Sequence, residues 1–300
     1  MNRLESLKSL YKPYRYTIRG NCTILETTSG NFVVKKKPKN KDLIQIFNYL
    51  KSRNFDYFPN IFTNNTRDDS YVYEYIEDKS DINPQKGEDL INLVALLHSK
   101  TSYNKEVTEE VYKEIYEDIK NNILYLKDYY LKYYELYIHD IYMPPSKYLF
   151  VRNYSKIMSA LNFSEEELDN WYSLVNEKKN ERISLIHNNL SLEHHIRSDK
   201  DYLVSWDKAK FDTPILDLVK LYQNDFWDLE FSSLYEKYLS VNSLSDSEQK
   251  LFFIIISLVP EIDFEGTEFD CAKNMRKKLD YIFKTEQFLA PYYSTDTKNE

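Results

Sequence analysis

The feature that most constrains this chain is a change of hydrophobic period near residue 77. From Thr17 to about Glu77 the apolar residues fall in short alternating runs, and beyond Asp78 they recur every three to four positions. A period of two suits half-buried strands, whereas a period near 3.6 suits helices with one apolar face. Residues 183–206 interrupt the helical part with two further short strand-like runs, and 214–287 read as helical again. The expected fold class is α+β: a sheet-and-helix lobe over 1–77 and a larger helical lobe over 78–300.

Local signals fill in this frame. "CTILETTSGNFVVKKKP" reads as two strands around the hairpin turn Ser29-Gly30-Asn31. "NKDLIQIFNYLKSRNF" sets Leu43, Ile46, Phe47 and Leu50 on one helical face, with Asn40 or Asp42 as its cap. "NIFTN" and "SYVYEYIED" predict two more strands joined by a turn at Arg67-Asp-Asp-Ser70. In "GEDLINLVALLHSKT" Leu90, Leu93, Val94, Leu97 and His98 share a face, so His98 reads as a packing residue. A Tyr- and Ile-rich helical stretch follows over 106–142 and stops at Pro144-Pro145. Ser164 and Glu167 have capping-box spacing and predict a new helix start, and the polar tail "STDTKNE" reads as frayed.

Composition removes several function classes. With 42% hydrophobic residues, 28 Tyr and 16 Phe, the chain can bury a large core, yet it has only four Gly. Loops that cradle phosphate closely need residues without Cβ, and neither a Walker-type nor a GxGxxG loop is present. A net charge of -8 with intermixed signs argues against nucleic acid and anionic membrane as partners; Lys35–Lys41 is the local exception. Cys22 and Cys271 lie too far apart to suggest a CxxC zinc site or a disulfide framework. "LFFIIISLVP" falls short of the roughly 18 apolar residues of a membrane span, and the N-terminus has no apolar signal region. The expectation is a soluble, cytoplasmic protein.

Two stretches carry chemistry: "LIHNNLSLEHHI" at 185–196 and "YLVSWDKAKFDTPILDL" at 202–218. Together with "FVVKKK", "YVYEYIED" and "LVALLHS", in this order, they resemble the aminoglycoside phosphotransferase/choline kinase superfamily, most closely its bacterial spore-coat branch of CotS- and YutH-like proteins. That resemblance runs from about Tyr16 to about residue 290 and implies a protein-kinase-like two-lobed fold. The first stretch stands where the family has its His-x-Asp-x-x-x-x-Asn catalytic loop, the second where it has a metal-binding Asp and a bracing acidic segment. His187 matches the loop histidine, and Asp212 and Asp217 match the brace. Asn189 stands at the position of the catalytic Asp, His194 at that of the metal-binding Asn, and Ser205 at that of the metal-binding Asp.

The resemblance places the cofactor-binding positions at Lys35, Glu74 and Asp207, with alternation alone leaving Lys35 and Lys36 both open for the strand lysine. It implies ATP and Mg²⁺ as candidate cofactors. Asn189 can orient a hydroxyl without taking its proton, a loss of roughly 10²–10⁴-fold. His194 and Ser205 are poor ligands for a cation that prefers carboxylate and carbonyl oxygens. Asp207, two residues past Ser205, can supply a compensating oxygen.

The plainer readings need no ligand. His187, His194 and His195 suit loop histidines better than a zinc site, and the Lys35–Lys41 run serves equally as a charged sheet edge. Residues 112–142 suit aromatic helix packing better than a cation cage, and Asp207, Asp212 and Asp217 suit capping and loop bracing. The expected function is a catalytically impaired pseudokinase acting as a binding or assembly protein for a protein partner or small-molecule ligand, in a spore-coat setting if the organism sporulates. The alternative is an active ATP-dependent phosphotransferase for a small hydroxyl-bearing substrate.

Overall fold

The structure, a computed structural model, describes residues 12–38, 41–62, 70–79 and 82–293. Its first lobe is a four-stranded antiparallel sheet in sequential order: β1 (Arg15–Arg19), β2 (Cys22–Thr27), β3 (Gly30–Lys36) and β4 (Ser70–Glu74). The β2–β3 turn is Thr28-Ser29, one residue before the Ser29-Gly30-Asn31 turn expected from the sequence: Gly30, at φ 125°, closes it as the first residue of β3, and Asn31 already pairs with Glu26. A second tight turn joins β1 to β2, where Arg19 pairs with Cys22 across Gly20 at φ 53°. A left-handed backbone of this kind favours glycine. Helix α1 (Leu43–Ser52) crosses between β3 and β4, and Asp42 is its cap, accepting from the Ile44 amide at 3.0 Å. Asn40 and the turn residues Arg67–Asp69 lie outside the described residues. Of "NIFTN" the described part makes only a bridge, Ile61 opposite Tyr73, and no strand.

The second lobe is built on α2 (Asn83–Thr101), β5 (Tyr103–Glu106), α3 (Glu109–Tyr137) and α4 (Pro145–Val175). The helix start expected at Ser164 is not there. α4 runs straight through it, because the Ser164 hydroxyl bonds back to the Ala160 carbonyl at 3.0 Å. Glu167 is drawn instead to Lys250, Tyr293 and Asn170. A side-chain oxygen that finds an i−4 carbonyl does not need the amide three residues on.

Next come β6 (Asn180–Ile186), β7 (His195–Arg197), β8 (Asp201–Leu203) and β9 (Lys210–Asp212). β6 sits between β5 and β9, and β7 pairs with β8 as a short hairpin. Helices α5 (Ile215–Asp225), α6 (Phe231–Val241), α7 (Asp246–Ser257) and α8 (Glu268–Tyr293) complete the lobe. α7 carries a true capping box, Ser245 with Glu248.

The larger core joins both lobes. Leu43, Phe47, Phe55 and Phe58 pack in one cluster with Leu90, Leu203, Trp206 and Leu218. A second core around Tyr130, Phe150, Ile157 and Met275 holds α3, α4 and α8 together, so the Tyr-rich segment works largely as helix packing. Among the described residues no helix is long and apolar enough to cross a membrane.

Candidate functional site in the inter-lobe cleft

Strand alternation on β3 decides which lysine faces inward. Val34 is fully buried with Leu25 and Val72 on the outer face of the sheet, so Val33 and Lys35 share the opposite face and Lys36 is exposed. That inner face looks onto a cleft of about 530 Å³ between the lobes. Ile24, Val33 and Tyr73 line it from the sheet, and His194, Ser205 and Trp206 line it from the second lobe.

Lys35 crosses the cleft to an ion pair with the Asp207 carboxylate. Lys41 donates to the Asp207 main-chain carbonyl at 3.1 Å, and burial holds its pKa below the ordinary lysine value. Asp207 is therefore the acid beside the strand lysine. Ser205 lines the cleft in a left-handed conformation at φ 68°, which costs a non-glycine residue about 1–2 kcal/mol. Glu74, also at the cleft wall, is tied by both carboxylate oxygens to the Asn60 amide group.

The loop after β6 is fixed by buried acids. Asp217, fully buried, accepts from the His187 amide at 2.8 Å, from the Asn188 amide at 2.6 Å, and lies 3.1 Å from His98 Nε2. His98 Nδ1 continues the chain to the Tyr238 hydroxyl at 2.8 Å. So His98 is a polar anchor and not a mere packing residue; a buried carboxylate must find donors, and this helix face offers one. Asp225 holds the second half of the loop through the Leu192 amide at 3.0 Å, and burial raises its pKa to about 6. Asp212, on β9, pairs with Lys210 and accepts from the Thr213 amide.

The histidines occupy separate environments. His187 is buried, donates from Nε2 to the Val204 carbonyl at 2.8 Å, and burial pushes its pKa down to about 4. His194 Nδ1 lies 2.6 Å from the Asn189 carbonyl, which can only accept, so the proton sits on Nδ1. Burial lowers the His194 pKa as well, leaving a neutral ring whose Nε2 faces the Asn189 amide nitrogen at 3.4 Å. Lys208 donates to the Asn189 amide oxygen at 3.2 Å. His195 points away from the cleft to Asp201 at 3.0 Å.

These residues do not fit Mg²⁺. Asp207 is already engaged by Lys35, His194 presents imidazole nitrogen, and Ser205 offers a neutral hydroxyl, where the ion prefers several hard oxygens. Among the described residues no three His, Cys, Asp or Glu side chains converge as a metal site.

Solved structures share this architecture. An aminoglycoside phosphotransferase from Alicyclobacillus acidocaldarius matches with a TM-score of 0.68 at 10% identity, over 95% of this chain and 92% of that one. The fold is that of the aminoglycoside phosphotransferases. Spectinomycin phosphotransferase matches this kinase-like fold in two forms, each with a TM-score of 0.54 at 12% identity. The AMP-bound complex covers 96% of this chain and 93% of that one. The complex with ADP and spectinomycin covers 94% and 97%. No family model and no curated protein matches the sequence.

Proposed function

We propose that this kinase-like protein is a pseudokinase: it binds a small-molecule ligand in the inter-lobe cleft and serves a protein partner, with phosphoryl transfer impaired. One observation carries this reading. Around the loop that follows β6, Asn189, His194 and Ser205 contribute no anionic oxygen, and the nearby Asp207 is neutralised by Lys35. Phosphoryl transfer depends on positioning and on neutralising charge, commonly through metal ions held by such oxygens. Lys208 on the Asn189 amide oxygen also opposes a proton-accepting role for that position.

ADP release from ATP, with Mg²⁺ or Mn²⁺, tests the reading. The wild-type chain is expected to stay at background, and Asn189→Asp combined with Ser205→Asp to raise the rate. Asp tolerates the left-handed backbone of position 205 better than most residues, so the second change suits the local conformation. Metal-dependent turnover by the wild type, abolished by Asp207→Asn, would establish the active phosphotransferase instead. The position of Asp207 beside Lys35 is the observation in that reading's favour.

The setting follows from the sequence resemblance to CotS- and YutH-like proteins: a cytoplasmic protein recruited to the spore coat where the organism sporulates. A fluorescent fusion followed through sporulation checks this, and diffuse fluorescence throughout would remove the assignment.

A further inference from the structure

The second lobe holds a cavity that shares no residue with the inter-lobe cleft. It measures about 280 Å³ and lies where α4, α7 and α8 meet. Phe163, Ile256, Ile282 and Leu289 give it apolar walls, and the small side chains of Ala160 and Ala290 leave room between the helices. Three hydroxyls on these walls already have partners. Tyr281 donates to the Ile256 carbonyl at 2.6 Å, Thr285 to the Tyr281 carbonyl at 2.8 Å, and Tyr293 to the Glu167 carboxylate at 2.7 Å. Ser257 does not follow them. It is the last residue of α7, lines the cavity and is only 6% exposed, and its hydroxyl has no hydrogen-bond partner among the described residues. Ser164 and Thr285 meet the same burial by bonding back one helical turn, to Ala160 and Tyr281.

A buried hydroxyl left without a partner is uncommon, because nothing offsets the loss of its water. A single bound water is a poor remedy here: it needs about two to four polar partners, and the other wall hydroxyls are engaged. An apolar pocket with one unengaged polar group is instead the usual form of a small-molecule site. Cavities of about 150 Å³ hold benzene, so this one takes a molecule of about two fused rings. Ser159 and Glu286 are its exposed lining residues, and the Glu286 carboxylate disfavours an anion there. We propose that this cavity is a second ligand site, for a small uncharged molecule of two-ring size whose one hydroxyl group pairs with Ser257 Oγ. The site is independent of phosphoryl transfer and stands whether or not the chain turns over ATP.

Equilibrium dialysis of the full chain against naphthol, naphthalene and naphthoate tests the site. Naphthol is expected to bind about fivefold more tightly than naphthalene, the worth of one hydrogen bond, and naphthoate to bind more weakly than naphthol. Ser257→Ala should lose about fivefold for naphthol and nothing for naphthalene, since only the hydroxyl contact goes. The same variant should melt no lower than wild type, because the hydroxyl it removes holds nothing in the free protein. Ala160→Phe fills the cavity from α4 and should abolish binding of both neutral probes. If that larger side chain unfolds the helices, the three probes on the wild type and on Ser257→Ala still decide. Naphthol bound no better than naphthalene, or naphthoate bound best, would overturn the assignment of the ligand. Equal losses of naphthol and naphthalene in Ser257→Ala, or a lower Tm in that variant, would overturn the role of Ser257. Unchanged binding to a folded Ala160→Phe would place the probes elsewhere and remove the site.

Discussion

At the residue scale Asp217 fixes the loop more than any group that faces the cleft. Its two oxygens take two main-chain amides and approach His98, all out of water. Asp217→Asn turns an acceptor into a donor against an amide N–H, and each bond lost to a charged group costs about 1.5–3 kcal/mol. A lower urea midpoint with an unchanged m-value is expected; an unaltered midpoint would show that the network does not carry the loop. The buried titratable groups give a second expectation. His187, depressed to about 4, contributes stability that is present above about pH 6.5 and is lost as pH falls through 4. Asp225, raised to about 6, works the other way: its contribution is present below the ordinary Asp pKa and is lost as pH rises through 6. The two slopes oppose each other between pH 4 and 6. Asp225→Asn should therefore match wild type near pH 4 and gain stability on it as pH rises to 7, measured by urea unfolding across that window. A difference that does not change with pH would mean that Asp225 has no raised pKa. The sequence showed Asp217 as a brace but not the partners of these groups, since His98 and Tyr238 lie 140 residues apart and only the tertiary fold brings them together.

At the scale of elements, periodicity read what it can read. α1, α2 and the β2–β3 hairpin appear where alternation, capping and turn chemistry set them, to within a residue at the hairpin turn, because each is decided by residues within a few positions. The failed capping box at Ser164 and the real one at Ser245 show the limit. Both have the S-x-x-E spacing. The first lies in a helix that already continues from Pro145, and tertiary partners claim Glu167. The second follows Asn242–Leu244, which break from α6, so orphan amides are there to be met. Ser245→Ala should cost about 1 kcal/mol. Glu248→Ala should cost more, because Glu248 also receives Arg182 of β6 through two bonds of 2.8 and 2.9 Å. Equal losses in the two variants, compared by chemical denaturation, would mean that the bridge to β6 adds nothing beyond the cap.

At the scale of the molecule an aromatic knot beneath the cleft joins the lobes, with a further ring contact between Tyr49 of α1 and Phe211 of β9 at 5.2 Å. Trp206 is buried, bonds through its indole nitrogen to the Leu203 carbonyl at 2.7 Å, and meets Phe47, Phe55 and Phe58 at centroid distances of 6.1, 6.3 and 6.4 Å. His187 stacks its ring edge on the same indole at 5.0 Å, so the knot also touches the loop that Asp217 holds. The two-lobed pattern was legible from the change of period at residue 77; this junction was not, since the aromatic residues that build it come from both sides of that change. Truncating Trp206 to Ala removes a shared wall and opens a cavity, at a cost of about 3–5 kcal/mol. The consequence should be uneven. The first lobe, a small sheet with one helix, draws most of its buried contact from this cluster, so its melting should fall further than that of the helical lobe. Calorimetry is expected to show one transition for the wild type and two for Trp206→Ala, with Trp206→Phe intermediate. A single transition merely shifted to lower temperature in the Ala variant would mean that the lobes are coupled elsewhere, and Lys35 with Asp207 would be the next pair to cut.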